Sequence, residues 1–332
     1  MSPLSPLTVP PVTTPPVLAH PLGQPATAIA AMVNPAVVDV DTRLSYQHAI
    51  AAGTGMVLTP NGVILTNNHV IAGATTIGAV AIGNGKSYPA HVLGVDPSAD
   101  VAVLQLEGAS GLATILSSSN PVSPGDAVVA IGNAGGIGGA PSVTTGIVEA
   151  LDQSIVANDP SAGISEQLDG LIETTASLEP GDSGGPLVNG VGQVIGMNTA
   201  AAVASGTTTT VSFAIPIGPA LAIAAQIQAG RAGGGVYLGL PPFLGVQVAT
   251  GSLAGRSGVT VTAVVAGGPA AAAGIAAGAL LTAMDGQLID SPVALARVLR
   301  QFHPGDSVAI TYLDRAAASH TVRVALGTGP AD

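Results

Sequence analysis

The sequence predicts a mainly β protein, with antiparallel barrels or sandwiches through residue 230 followed by a smaller α/β unit. From Ser45 onward the apolar runs are short and broken by turn residues, the chain holding 45 glycines and 26 prolines. Many short strands separated in this way point to antiparallel architecture. The apolar residues are overwhelmingly aliphatic, with four tyrosines, three phenylalanines and no tryptophan. Two stretches only, 219–228 and 291–302, combine the spacing and end signals of full helices.

At 332 residues there is room for two domains, each able to bury a core. A formal charge of −11 and few aromatics argue against nucleic acid or an anionic membrane as partner, since both need a basic footprint. Without a cysteine there are no disulfides, thiolate nucleophiles or cysteine zinc sites. Met1 is followed by Ser-Pro-Leu-Ser-Pro rather than a basic and then an apolar segment, and no stretch reads as a transmembrane helix. If the protein is exported, its signal lies outside this sequence.

Residues 1–38 carry no Asp, Glu, Lys or Arg, and eight prolines fall within the first 25 positions. Proline at that density blocks helices and strand ladders and favours extended polyproline II, so 1–28 is expected to be a disordered arm. A short helical or extended piece over 27–38 follows. Gly55-Met-Val-Leu-Thr59, Pro60-Asn-Gly62 and Val63-Ile-Leu-Thr66 make a hairpin signature, Asn61-Gly62 suiting a tight turn. Further strands are expected at 90–95, 101–106, 127–131, 142–151, 171–173, 187–188, 194–198 and 211–216. Proline opens the helix at 219–228 and Gly230 is placed to stop it. Residues 29–230 thus form the first domain and 231–242 a Gly/Pro linker. The second domain, 243–328, has strands expected at 244–248, 260–265, 280–284, 307–313 and 321–326. Its helix starts with Ser291 as N-cap and Pro292 as first residue, and 270–277 reads as a shorter helical turn.

The chemistry centres on Glu179-Pro-Gly-Asp-Ser-Gly-Gly-Pro-Leu187. Its glycines allow turn conformations and close backbone approach. They suit a loop that holds Ser183 Oγ outward while the N–H groups of Gly181 and Ser183 converge as an oxyanion hole. The competing reading is a plain Gly-rich turn. Upstream, His69 lies in Leu65-Thr-Asn-Asn-His-Val70 and Asp100 in Pro97-Ser-Ala-Asp-Val-Ala-Val-Leu104. A hydroxyl nucleophile needs an imidazole to take its proton and a carboxylate to orient that imidazole. His69, Asp100 and Ser183 are therefore the candidate catalytic residues. No metal or cofactor is required, and activity should rise as His69 loses its proton. Asp96 competes with Asp100 for the acidic role but reads as a turn residue beside Pro97. The remaining histidines, 20, 48, 91, 303 and 320, have no comparable setting. Gly132-Asn-Ala-Gly-Gly-Ile-Gly-Gly139 lacks the lysine of a nucleotide loop and reads as a flexible loop near the site.

Thr66-Asn-Asn-His-Val70, Asp100-Val-Ala-Val-Leu104, Ala130-Ile-Gly-Asn133, Thr145-Gly-Ile-Val148, Gly181-Asp-Ser-Gly-Gly185 and Ser212-Phe-Ala-Ile-Pro216 occur in this order. The series resembles the HtrA-type (DegP-like) serine proteases, among them the secreted mycobacterial PepA-type enzymes, over residues 45–326. The resemblance implies a chymotrypsin-like double β-barrel, each barrel six-stranded, with the active site in the cleft between them and a PDZ domain following. It implies ATP-independent cleavage of unfolded or misfolded proteins outside the cytoplasm, and it allows a homotrimer. It also implies an S1 pocket walled by Leu178, Asn198, Thr199, Ala200, Ser212, Phe213 and Ala214. With no acidic residue there, small or medium aliphatic P1 residues are expected. Asp182 departs from the asparagine common in the family and is expected to bond to loop amides.

In the second domain, Phe243, Leu244, Gly245 and Val246 resemble a PDZ carboxylate loop. Val246 and Val248 lie on the strand that would pair with a peptide C-terminus, and Val298 on the helix forming the other wall. A β-rich domain without a ligand is the alternative there. For the whole chain, the alternative is a peptide-binding chaperone or surface protein with a latent protease domain.

Overall fold

The computed structural model describes residues 21–45, 49–159, 164–203 and 210–331, so the proline-rich arm to residue 20, with His20, and also Tyr46 and His48, fall outside the described residues. The chain is already helical at Ala26, earlier than the arm was expected to end. Helix α1 (Ala26–Val33) passes through a 3₁₀ turn, Asn34–Ala36, into β1 (Val37–Leu44). There follow β2 (Ala49–Val57), β3 (Val63–Thr66), the single-turn helix α2 (Asn68–Ile71), β4 (Thr76–Ala81), β5 (Lys86–Asp96) and β6 (Val101–Leu106). These strands run in the order β5-β4-β1-β2-β3-β6, and pairing of β5 with β6 closes them into a barrel. The strand patterns expected from the sequence omit β1 and β4. In β1 two aspartates interrupt the apolar run, and β4 is half glycine and alanine, so neither reads as a strand locally.

A second closed barrel consists of β7 (Ala127–Gly132), β8 (Ser142–Asp159), β9 (Ile164–Thr174), β10 (Pro186–Val188), β11 (Val194–Val203) and β12 (Thr210–Pro216). β8 and β9 run well beyond the expected 142–151 and 171–173. Register shifts between Val148 and Ile155 carry the ribbon through the polar Asp152-Gln153-Ser154, which hides the strand period. Helix α3 (Ile217–Gln228) ends the domain and buries Ile217, Ala220, Ala224 and Ile227.

Side chains alternate along a strand, and here both faces find apolar partners. Ala102 and Leu104 of β6 point into the first barrel, with Ile64 and Val40, while Val101 and Val103 join the cluster between the barrels. On β7, Val128 and Ala130 fill the second barrel, and Val129 and Ile131 face the same seam. Each large aliphatic fully removed from water contributes about 1.5–3 kcal/mol. The seam therefore fixes the two barrels rigidly enough to hold a site composed from both.

The linker expected at 231–242 is a connection but not a loose one. Within it, β13 (Tyr237–Leu238) adds antiparallel to Val95 and Gly94 of β5, and Val236 is buried at the seam. The second domain comprises β14 (Pro242–Phe243), β15 (Val246–Leu253), β16 (Arg256–Val264), α4 (Pro269–Ala272), β17 (Leu280–Met284), β18 (Gln287–Leu288), α5 (Pro292–Leu299), β19 (Ser307–Leu313), β20 (Ser319–Ala325) and β21 (Gly327–Thr328). The main sheet runs β15-β16-β17-β19-β20, leaving β15 at one edge, and β14 pairs with β21. As expected, Ser291 caps α5, accepting from the Ala294 N–H at 3.2 Å.

After β21 the chain returns to the first barrel. Gly329 N–H donates to Pro241 O at 2.8 Å, Ala331 N–H to Ala74 O at 2.9 Å, and Gly73 N–H to Ala331 O at 2.7 Å. Ala331 is buried there against Gly73, which lies two residues past the end of α2. Ala331→Asp would place a charge in that apolar seat, which is costly without a partner. The variant should speed amide hydrogen exchange at Gly73 by at least about tenfold; exchange unchanged from the wild type would show that the tail does not hold this loop.

Candidate active site

His69 stands on α2, and Gly53 allows the helix to lie close to β2, since a Cβ there would meet Val70 at 2.6 Å. Asp100 ends a 3₁₀ turn, Pro97–Ala99, in a left-handed conformation (φ 53°, ψ 45°) that non-glycine residues seldom adopt. The turn aims the Asp100 carboxylate at α2. Its Oδ1 accepts the His69 N–H at 3.0 Å, and His69 Nδ1 lies 3.0 Å from Oδ1 and 2.9 Å from Oδ2. Asn67 Nδ2 donates to Asp100 O at 3.0 Å. Asp96 is engaged elsewhere: its Oδ1 takes the Ser98 hydroxyl at 2.7 Å and caps the Ala99 N–H at 3.3 Å.

The second barrel supplies the remaining donor. Thr199 Oγ1 donates to Asp100 Oδ2 at 2.6 Å, and Ser183 Oγ donates to Thr199 O at 2.9 Å. Thr199 can reach both because the β11–β12 register shifts between Asn198 and Ala200, freeing Thr199 from the ladder. The sequence places Thr199 only in a pocket wall. A bulge has no local sequence mark that would have revealed its link to Asp100.

Around Ser183 the backbone is tightly held. Gly181 and Gly184 have φ of 104° and 85°, and a Cβ at either would collide with a backbone oxygen, of Asn133 or Thr54 respectively. The buried Thr54 on β2 joins the barrels here. Its N–H donates to Ser183 O at 2.8 Å, its hydroxyl to Gly181 O at 2.7 Å, and it accepts the Asn133 N–H at 2.9 Å. Pro180 O accepts the Gly135 N–H at 2.7 Å. Neither the Gly181 nor the Ser183 N–H has an acceptor among the described residues. Two such donors on one turn can receive an oxyanion. The Gly-rich segment 132–139, expected to be a flexible loop, is thus anchored to this turn, and Asn133 Oδ1 also holds the Gly138 N–H at 2.8 Å. Asp182 bonds to one loop amide, that of Glu179, and to the Ser142 hydroxyl.

The expected pocket residues separate. Leu178 and Ala214 lie in the second barrel's apolar cluster, and Ser212 Oγ accepts the Leu178 N–H at 3.2 Å. Phe213, one residue out of phase, points to the inter-barrel seam. Asn198 is fully buried beneath the nucleophile turn, its backbone exchanging bonds with Gly184 and Gly185. Ala200 pairs with Phe213 on β11. In the second domain, Val246 and Val248 are half-buried on edge strand β15 beside α5, and Gly245 has a φ of 79°. Leu244 and Val298, however, are buried in that domain's core and cannot line a groove; on α5 it is Val293 that is exposed. Phe243 lies on β14, opposite Gly327.

Two closed six-stranded barrels, an imidazole–carboxylate pair on the first and a hydroxyl on a Gly-rich turn of the second define the trypsin-like peptidase class, here joined to a small domain with an open sheet edge. Residues 53–197 match the trypsin-like peptidase domain family and residues 260–313 the PDZ domain family. Serine protease PepD of Mycobacterium tuberculosis is 37% identical over 316 residues, covering 90% of this chain and 65% of its own length. A probable periplasmic serine endoprotease, DegP-like, of Brucella suis is 33% identical over 273 residues, or 81% of this chain and 51% of its own. The solved structure titled HtrA-type protease AlgW with tripeptide matches at TM-score 0.53 and 29% identity, covering 92% of this chain and 98% of that one. The chain carries a trypsin-like peptidase domain followed by a PDZ domain and is similar to HtrA/DegP-type serine proteases; it spans about two thirds to half the length of the curated relatives it matches.

One buried carboxyl flanks the site without belonging to it. Asp39 of β1 is 3% exposed and accepts the Gly139 N–H. Burial, and then repulsion from Asp41, push its pKa from the ordinary 3.8 up to about 6. A raised carboxyl pKa favours the folded state fully below the unfolded value, and that contribution is lost as pH climbs through 6. Asp39→Asn removes the cost of the ionised form, a shift of this size being worth about 3 kcal/mol at most. The variant should therefore melt above the wild type at pH 8, with the gap closing below about pH 4. Melting curves across this range that stay parallel would refute the assignment.

Proposed function

We propose that the chain is an ATP-independent serine endopeptidase acting outside the cytoplasm on unfolded or misfolded proteins, in a protein quality-control role. The observation that carries this reading is the Ser183 turn, whose two amides have no acceptor among the described residues, set against the His69–Asp100 pair across the barrel seam. His69 is the general base, Asp100 its orienting carboxylate and Ser183 the nucleophile. For reaction, the Ser183 O–H turns from Thr199 O to the imidazole of His69, which takes its proton as Oγ attacks the peptide carbonyl. The Gly181 and Ser183 amides bind the developing oxyanion, and His69 then protonates the leaving amine. Water repeats the sequence on the acyl-enzyme.

The Leu178, Ser212 and Ala214 side chains are uncharged, which supports small or medium aliphatic P1 residues, since a basic side chain would lose its hydration unpaired. Edge strand β15 next to α5 supports β-addition of a peptide C-terminus in the PDZ domain, with the backbone N–H groups of the Phe243-Leu-Gly-Val246 loop receiving the carboxylate. A location in the envelope or beyond it is supported by the periplasmic naming of relatives. The latent-chaperone alternative is less favoured, because the amides that would serve an oxyanion already have no acceptor among the described residues.

A fluorophosphonate probe should label the wild type and not Ser183→Ala. Casein hydrolysis should fall by about 10⁶-fold in that variant; undiminished cleavage would indict another nucleophile. Mapped casein cuts should follow Val, Ala or Leu, and a preference for Lys or Arg would overturn the pocket assignment. A hydrophobic-ended peptide should bind the PDZ domain as the free acid and lose at least about tenfold as the amide. Equal binding would sink the carboxylate loop.

A further inference from the structure

We infer that Ser142 is a positioning residue for the oxyanion hole: it clamps the buried carboxylate of Asp182 and, through it, the turn that presents the Gly181 and Ser183 amides. This inference rests on the endopeptidase reading above and deepens it. Asp182 sits between the two amides, is 3% exposed, and has no cationic partner among the described residues. A buried carboxylate in that position depends on hydrogen-bond donors. It has two: Oδ2 accepts the Glu179 N–H at 2.9 Å and Oδ1 the Ser142 hydroxyl at 2.7 Å. Its own backbone closes the turn, Asp182 N–H donating to Glu179 O and Gly185 N–H to Asp182 O, each at 3.0 Å. The Asp182 side chain is thus the strut of the segment from Glu179 to Gly185, and among the described residues Ser142 is the only hydrogen-bonding anchor for that strut outside the segment.

The receptor belongs to the second barrel's frame. Ser142 opens β8 and is the register partner of Gly132, the last residue of β7. A Cβ at position 132 would lie 2.6 Å from Asp182 Cα, so the bare glycine makes room for the turn while the serine across the ladder grips it. Ser142 Oγ is also 2.9 Å from Gly132 O. One hydroxyl proton faces two acceptors. A side chain at 182 that could donate to Ser142 Oγ would release that proton for Gly132 O and satisfy every atom in the chain. The site therefore requires the Ser142 oxygen more strictly than it requires a charge at 182.

The test compares fluorophosphonate acylation rates, and kcat and KM on fluorescein-labelled casein, for the full chain and its variants. Loss of a whole oxyanion donor costs about 10²–10³ in kcat, so a displaced pair should cost somewhat less. Ser142→Ala should slow acylation and kcat about 10–100-fold with KM within about twofold, and Ser142→Thr should recover most of the rate. Wild-type acylation by Ser142→Ala overturns the clamp, as does a folded Ser142→Thr as slow as the alanine variant. Should Ser142→Ala fail to fold, Asp182→Asn decides. Its amide can donate to Ser142 Oγ while Oδ1 keeps the Glu179 N–H, so labelling within about threefold of wild type supports the clamp, and a folded but unlabelled protein overturns it. A wild type that takes no label in a Ser183-dependent manner defeats the endopeptidase reading, and the clamp with it; a labelled wild type separates the two.

Discussion

A carboxylate buried at the seam of two barrels has to find its donors on both sides. Asp100 takes the His69 backbone N–H and faces the imidazole within its own barrel, and takes the Thr199 hydroxyl from the other. An unmatched buried charge would cost several kcal/mol, so these bonds constrain how the barrels register. Thr54 adds the reciprocal constraint, reaching from the first barrel to the backbone oxygens of Gly181 and Ser183. The apolar seam holds the halves together, and this small polar lattice sets their alignment. The left-handed backbone of Asp100 is the strain tolerated to aim its carboxylate.

Much of this was legible in the residues themselves. The glycines around Ser183 are needed because the turn passes against the backbone of neighbouring strands, and such a need leaves a visible string. The choice of Asp100 over Asp96 agrees with their settings, one facing α2 and the other capping its own turn. What the sequence hid depends on long-range pairing. Thr199 acts through a bulge, Thr54 through a contact spanning more than a hundred residues, and Ser142 through the end of a ladder. None of these has a local period. Strands β1 and β4 are hidden in the sequence for a related reason: aspartate, glycine and alanine are poor strand formers in isolation, and the closed barrel overrides them.

Alternation explains where the expected pocket and groove lists divide. A run of consecutive residues on a strand cannot all line one cavity, so Phe213 parts from Ser212 and Ala214. On α5 the residue that reads as a groove wall, Val298, occupies the inward stripe, and Val293 takes the outward one. Family patterns indicate the segment; the period of the element determines which of its side chains is presented.

The PDZ domain is attached to the first barrel at both of its ends, by β13 on β5 before it and by Ala331 on the loop after α2 behind it. Mechanically this is a closed ring rather than a bead on a string. Swinging the domain outward requires breaking one attachment or deforming both, so its excursions should be cooperative and rare instead of graded. Force or ligand strain applied anywhere on that ring is shared between a strand of the barrel wall and the short helix that carries the imidazole.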